Sequence, residues 1–191
     1  FAFIFGLMPL MFSTGAGGTL SFTEAAKVSG HNMVFRSGNS SSLAGSRFFR
    51  TQLYVLNNNT PVLVDGNVVV INDQFENTQD AADALKIGNT GENFGIRKGE
   101  KVFSLESRKP IVQTDSVHFN MTGMRRQTYR LQFNPESMSE TGLEAFLIDK
   151  YLQTTSPVSL QGSTNFDFVV TTEAGSAVAD RFVIVFKPLR V

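Results

Sequence analysis

The chain has 191 residues, with 17 basic and 17 acidic side chains and a formal net charge of zero. A neutral surface lacks the excess of Lys and Arg that nucleic-acid phosphates and anionic membranes attract, so neither is an expected partner. At 41% hydrophobic and 18% charged residues the chain is globular, and with no Cys it has no disulfide, no thiolate metal site and no cysteine nucleophile.

The aromatic content is lopsided, with 18 Phe, 3 Tyr and no Trp. Phe favours strands and cores, so these side chains read as core material. Sugar-binding surfaces usually present Trp or Tyr, which places a glycan-binding reading behind others. The length allows one ordinary domain or two small ones.

Taken in order, the run Phe1–Phe12 is too short to span a membrane, is interrupted by Pro9, and lacks the basic start of a signal peptide. It is expected to supply core strands of a domain that begins upstream, the chain being a piece or processed region of something longer. A glycine-rich turn, STGAGG, precedes an alternating strand with Leu20 and Phe22. Residues 29–46 read as a polar surface loop around Met33–Phe35. A strand is expected over Phe48–Leu56, ended by three Asn and Pro61. In PVLVDGNVVVIND, Asp65-Gly66 is a favoured pair for a tight hairpin turn.

The segment Asp80–Lys86 differs, and one short helix is expected near 80–87. Thr78 or Asp80 would cap its start, with Gly88 after its end. Three alternating strands follow, KVFSLES, IVQTDSVHFNM and QTYRLQFN. Leu143–Leu152 has helical propensity but an unclear period. NFDFVVTTEAGSAVADRFVIVF reads as a hairpin, Phe166, Phe168 and Val170 facing Phe182, Ile184 and Phe186. Short strands at regular spacing with one helix predict an all-β protein, an antiparallel β-sandwich or two packed ones. A mild break at 97–110 divides an N-terminal β-rich region, 1–109, from a C-terminal sandwich region, 110–191, unless the two form one continuous domain.

Residues able to do chemistry are few. His31 lies in a loop and His118 in a strand, and no G-x-S-x-G elbow accompanies either, so neither reads as a catalytic base. STGAGGTL matches no phosphate-binding pattern. Asp73, Glu76, Asp80 and Asp83 form the densest acidic cluster. They read first as the acidic start of a helix and second as oxygen ligands for Ca²⁺, although the spacing is not that of an EF-hand. No other cofactor is expected. Asn39, Asn58 and Asn120 begin N-x-[ST] triplets.

The order of pieces in the second half carries a resemblance. DAADALKIGN, YRLQF, GLEAFLIDKYLQT, NFDFVV and GSAVADRFVIVF follow one another as in the β-rich domain of large cell-surface and secreted proteins of Bacteroidota, often found upstream of a type IX secretion sorting domain. The matching positions are Asp80, Asp83, Ala84 and Lys86, then Leu147, Ile148 and Asp149. Phe166, Phe168, Gly175, Ser176, Arg181 and Phe182 complete the set. The resemblance spans roughly residues 8–188. In the front half MPLMFSTGAGGTLSFTEAAKV is similar, but PLMF replaces the usual Gln-Gly/Ala-Phe-Phe-Val strand.

It implies a strand over Leu143–Asp149 and an extracellular or outer-membrane-surface location. It further implies a partner in the type IX secretion machinery or other surface proteins, and no enzymatic activity. Asp115-Ser116-Val117 is similar to the O-glycosylation signal of these bacteria, making Ser116 a candidate modification site. The expected function is a non-catalytic stalk or adhesin module. The alternatives are a filament subunit assembling by addition of its last strand, and a glycan-binding module, Ca²⁺-dependent through the acidic cluster.

Overall fold

The computed structural model describes residues 45–58, 60–139 and 141–189, all within the compact unit Ser40–Val191. The expectations for Phe1–Phe12, the STGAGG turn, Leu20 and Phe22, His31, Met33–Phe35 and Asn39 lie outside the described residues.

Regular structure among the described residues is almost entirely strand, which takes in 56% of them. The strands are β1 (Arg47–Asn57), β2 (Thr60–Ile71), β3 (Ala84–Leu85), β4 (Asn93–Lys98), β5 (Lys101–Arg108), β6 (Ser116–Thr122), β7 (Thr128–Glu136), β8 (Leu143–Asp149), β9 (Thr154–Val158), β10 (Thr164–Val169) and β11 (Phe182–Pro188). One 3₁₀ turn, Ala174–Ala177, precedes β11. Ten of the strands run in the order β10-β7-β1-β2-β5-β4-β6-β11-β8-β9, with β3 attached to β5. The two end strands, β9 and β10, are consecutive in the chain, so the sheet curls nearly closed in the manner of a barrel.

The period of two dictates this arrangement. Phe49, Thr51 and Leu53 of β1, Tyr129, Leu131 and Phe133 of β7, and Val117, Phe119 and Met121 of β6 all point inward and are buried. Phe133 meets Phe49 at 5.9 Å and Phe119 at 6.4 Å, and Phe119 stacks on Phe94 at 4.9 Å. A second aromatic chain runs from Tyr129 through Phe168 to Phe182 at 5.5 and 4.8 Å. Each fully buried ring contributes about 2–3 kcal/mol of burial energy.

Four expectations are corrected. First, no helix forms over 80–87. Asp80 accepts the Ala82 N–H at 2.7 Å and Asp83 accepts the Ser107 N–H at 2.7 Å. These side-chain bonds hold turns in place of a helix too short to sustain itself, and Ala84–Leu85 pairs with β5.

Second, Asp65-Gly66 is not a turn. β2 runs straight through it, with a bulge opposite Leu53/Tyr54, and the chain reverses at Asn57–Thr60. Third, the pairing is not wholly antiparallel, since Val68–Ile71 of β2 runs parallel to Leu105–Arg108 of β5. Fourth, Phe166–Val170 and Phe182–Phe186 are not a hairpin. β10 pairs with β7 while β11 lies between β6 and β8, and the two meet face to face through Phe166, Phe168 and Phe182. Leu143–Asp149 is a strand, as the resemblance implies.

Candidate functional site

The most heavily built polar constellation surrounds Arg181, 1% exposed at the start of β11. Its Nε and Nη2 donate to the two oxygens of Asp149 at 2.9 and 2.7 Å, a two-pronged pair whose side chains are both 1% exposed. Nη1 donates to the Ser176 carbonyl at 2.7 Å and the Val169 carbonyl at 3.3 Å. The guanidinium lies 4.8–5.1 Å from the ring centres of Phe182, Tyr151 and Phe168. Asp149 also accepts the Tyr151 and Leu152 N–H groups at 3.0 and 3.2 Å, which holds the turn after β8.

Local sequence explains the approach. Ser176 donates its hydroxyl to the Glu173 carbonyl at 2.6 Å and accepts the Thr171 N–H at 3.0 Å, fixing the 3₁₀ turn. Gly175 leaves room for Tyr151, because a Cβ there would stand 2.6 Å from the Tyr151 ring. The Leu-x-Asp, aromatic-x-Phe, Gly-Ser and Arg-Phe pieces, scattered over residues 147–182, thus meet around one cation.

A second buried pair joins Lys86 to Asp65 at 2.8 Å, with side chains 11% and 5% exposed. Asp65 also accepts the Gly66 N–H at 2.9 Å and the Phe94 N–H at 2.6 Å, tying the β2 bulge to β4. On β5, Glu106 faces Lys98 at 3.5 Å, and Arg108 bonds Asp115 at 2.9 Å. In the third cluster the Tyr129 hydroxyl donates to buried Glu92 at 3.1 Å and accepts the Arg125 N–H at 2.8 Å. Burial pushes the Tyr129 phenol above its ordinary value, against the Arg125 and Gln127 hydrogen bonds and with the help of Glu92.

The acidic cluster does not converge. Asp73 is exposed, and Glu76 pairs with Lys109 at 2.7 Å. Asp80 holds the Ala82 turn, and Asp83, its side chain 1% exposed, turns inward to the Ser107 N–H and lies 3.9 Å from Lys98. Among the described residues no three His, Asp or Glu side chains form a metal-holding group.

Ser116 opens β6, and its hydroxyl lies 2.9 Å from His118 Nε2. Arg97, Gly99, Glu100, His118, Lys150 and Asp180 line a surface depression beside it. Partial burial, then Lys150 and Arg97, hold the His118 imidazole below its ordinary value, opposed by Asp180. Which of Ser116 Oγ and His118 Nε2 donates follows from the imidazole tautomer, and Asp180, across the depression, is paired with Lys150 at 2.9 Å.

Sequence reasoning missed a row of amides on the outer face of β1, β7 and β10. Gln132 donates to Asn165 at 3.0 Å, and Asn134 donates to Gln52 at 3.0 Å and Gln132 at 3.2 Å. The signal was present in TQLYV, RLQFN and NFDF, where the polar partner of each alternation is repeatedly an amide.

No protein-family model, curated protein or solved structure matches the chain.

Proposed function

We propose that the chain is a non-catalytic structural or adhesin-type module of an exported bacterial cell-surface protein, carried by the type IX secretion machinery and displayed at the outer-membrane surface. The reading takes the nearly closed sheet, with its aromatic layers packed face to face, as a flattened β-sandwich.

One observation carries it. The residues behind the resemblance to Bacteroidota surface domains are spent on holding strands together. Asp149, Ser176 and Arg181 form one buried constellation, Lys86 is paired to Asp65, and Asp83 bonds the Ser107 backbone. Side chains fixed by such pairs are scaffold, which is what a stalk or display module requires. The filament alternative ranks lower because β11, the strand it would donate, has β6 and β8 on its two edges.

The test is surface labelling of intact cells with an antibody raised against this chain. Labelling is expected in cells with working type IX secretion and absent, with intracellular accumulation, in cells lacking it. Equal labelling in both strains, or cytoplasmic retention in both, would overturn the proposal.

A further inference from the structure

We propose that the outer face of β10, β7 and β1 binds a neutral polysaccharide through the row Gln52, Gln132 and Asn165, with Asn134 and the Tyr54 ring on either side of it. Register builds the row, since Asn165, Gln132 and Gln52 are direct neighbours on three successive strands. Tyr54 lies in the adjacent row, opposite Arg130. All five side chains stand on the face opposite the buried Phe49, Leu53, Leu131 and Phe133.

The row is locked. The Tyr54 hydroxyl shares its one proton between Gln52 Oε1 at 3.2 Å and Gln132 Oε1 at 3.3 Å. Asn134 donates to the same two oxygens and accepts from Ser163 Oγ at 2.5 Å, and Gln132 donates to Asn165. Fixing a Gln side chain costs about 1.5–2 kcal/mol of rotamer entropy, while a hydrogen bond contributes about 1 kcal/mol net. On a solvated face such a network gains little stability. Its effect is to hold polar groups ready in one plane. The locking bonds engage the Gln52 and Gln132 oxygens and the Asn165 oxygen, and the amide N–H groups of Gln52 and Asn165 take no part in them.

Charge selects the ligand class. The ionic groups flanking the row neutralise one another, Arg130 with Asp167 at 2.6 Å and Arg50 with Glu136 at 2.8 Å. The face therefore offers no net charge to an anionic ligand. Amide donors beside the Tyr54 ring match the hydroxyls and C–H faces of a neutral sugar.

The proposal deepens the adhesin reading and rests on it. Its test is affinity gel electrophoresis through gels containing, in turn, mixed-linkage β-glucan, xyloglucan, galactomannan and dextran. Unchanged melting temperatures would verify folding of Gln52→Ala/Gln132→Ala and of the milder Gln52→Glu. Retardation in at least one gel is expected, with roughly tenfold or greater loss of affinity in the double variant and partial loss in Gln52→Glu. His118→Ala, on β6, should migrate as the parent does. Free migration in all four gels, or retardation that survives both row substitutions, would overturn it. Release of reducing sugar would instead sink the non-catalytic reading and leave the binding face standing.

Discussion

Two arginine–aspartate pairs in this molecule share a geometry and differ in surroundings. Arg181 and Asp149 bond at 2.9 and 2.7 Å, and Arg130 and Asp167 at 2.6 and 2.8 Å, both two-pronged. The first pair is 1% exposed on each side, whereas the second is 28% and 45% exposed. Water would solvate either partner of the exposed pair if the other were removed. Neither partner of the buried pair has that recourse, because carbonyls, N–H groups and three rings enclose it. Identical contacts therefore carry different weight, and desolvation decides which is structural.

Substitutions sharpen that contrast. Loss of one partner of the buried pair, by Asp149→Asn or Arg181→Met, is expected to cost about 3–5 kcal/mol, read by chemical denaturation. Lys86→Met deprives the buried Asp65 carboxylate of its cation and should cost about 2–3 kcal/mol in the same assay. Gly175→Ala drives a methyl into the Tyr151 ring beside Arg181 and should cost about 1–3 kcal/mol, visible as a lowered melting temperature.

The pH dependence is smaller. His118 is held below its ordinary value in the fold, so the unfolded chain binds its proton first. Its neutral form suits the fold above about pH 6.5, and stability should fall as pH drops below that value. His118→Gln should flatten this part of a stability–pH profile; an unchanged slope would remove His118 as the cause. At the small end, Arg130→Ala should leave the thermal midpoint within replicate scatter. In Asp167 the Arg130 hydrogen bond holds the carboxyl below its ordinary value, so the contribution it does make is present above about pH 4 and lost in acid.

Much of the strand content was legible because alternation marks it. RFFRTQLYVL and YRLQF place Phe49, Leu53, Leu131 and Phe133 on one face from spacing alone. Pairing was less legible. Phe166–Val170 and Phe182–Phe186 alternate alike, and alternation says which face is apolar without saying whether two strands lie edge to edge or across a core. Asp65-Gly66 misled because the same dipeptide suits a turn and a bulge. The DAADALK segment misled because its helix propensity is local, whereas the Asp83–Ser107 and Lys86–Asp65 contacts span 24 and 21 residues. Asp149 and Arg181 were visible as separate motif residues, and only the fold brings them together across 32 positions.

The central claim is that Arg181 and its partners are scaffold. A double-mutant cycle on Asp149 and Arg181, followed by urea denaturation, tests it most directly. Asp149→Leu and Arg181→Met should each cost about 3–5 kcal/mol, and the double variant should cost far less than their sum, because removing both charges leaves none buried and unpaired. Single variants within about 1 kcal/mol of the parent, or costs that simply add, would contradict the account.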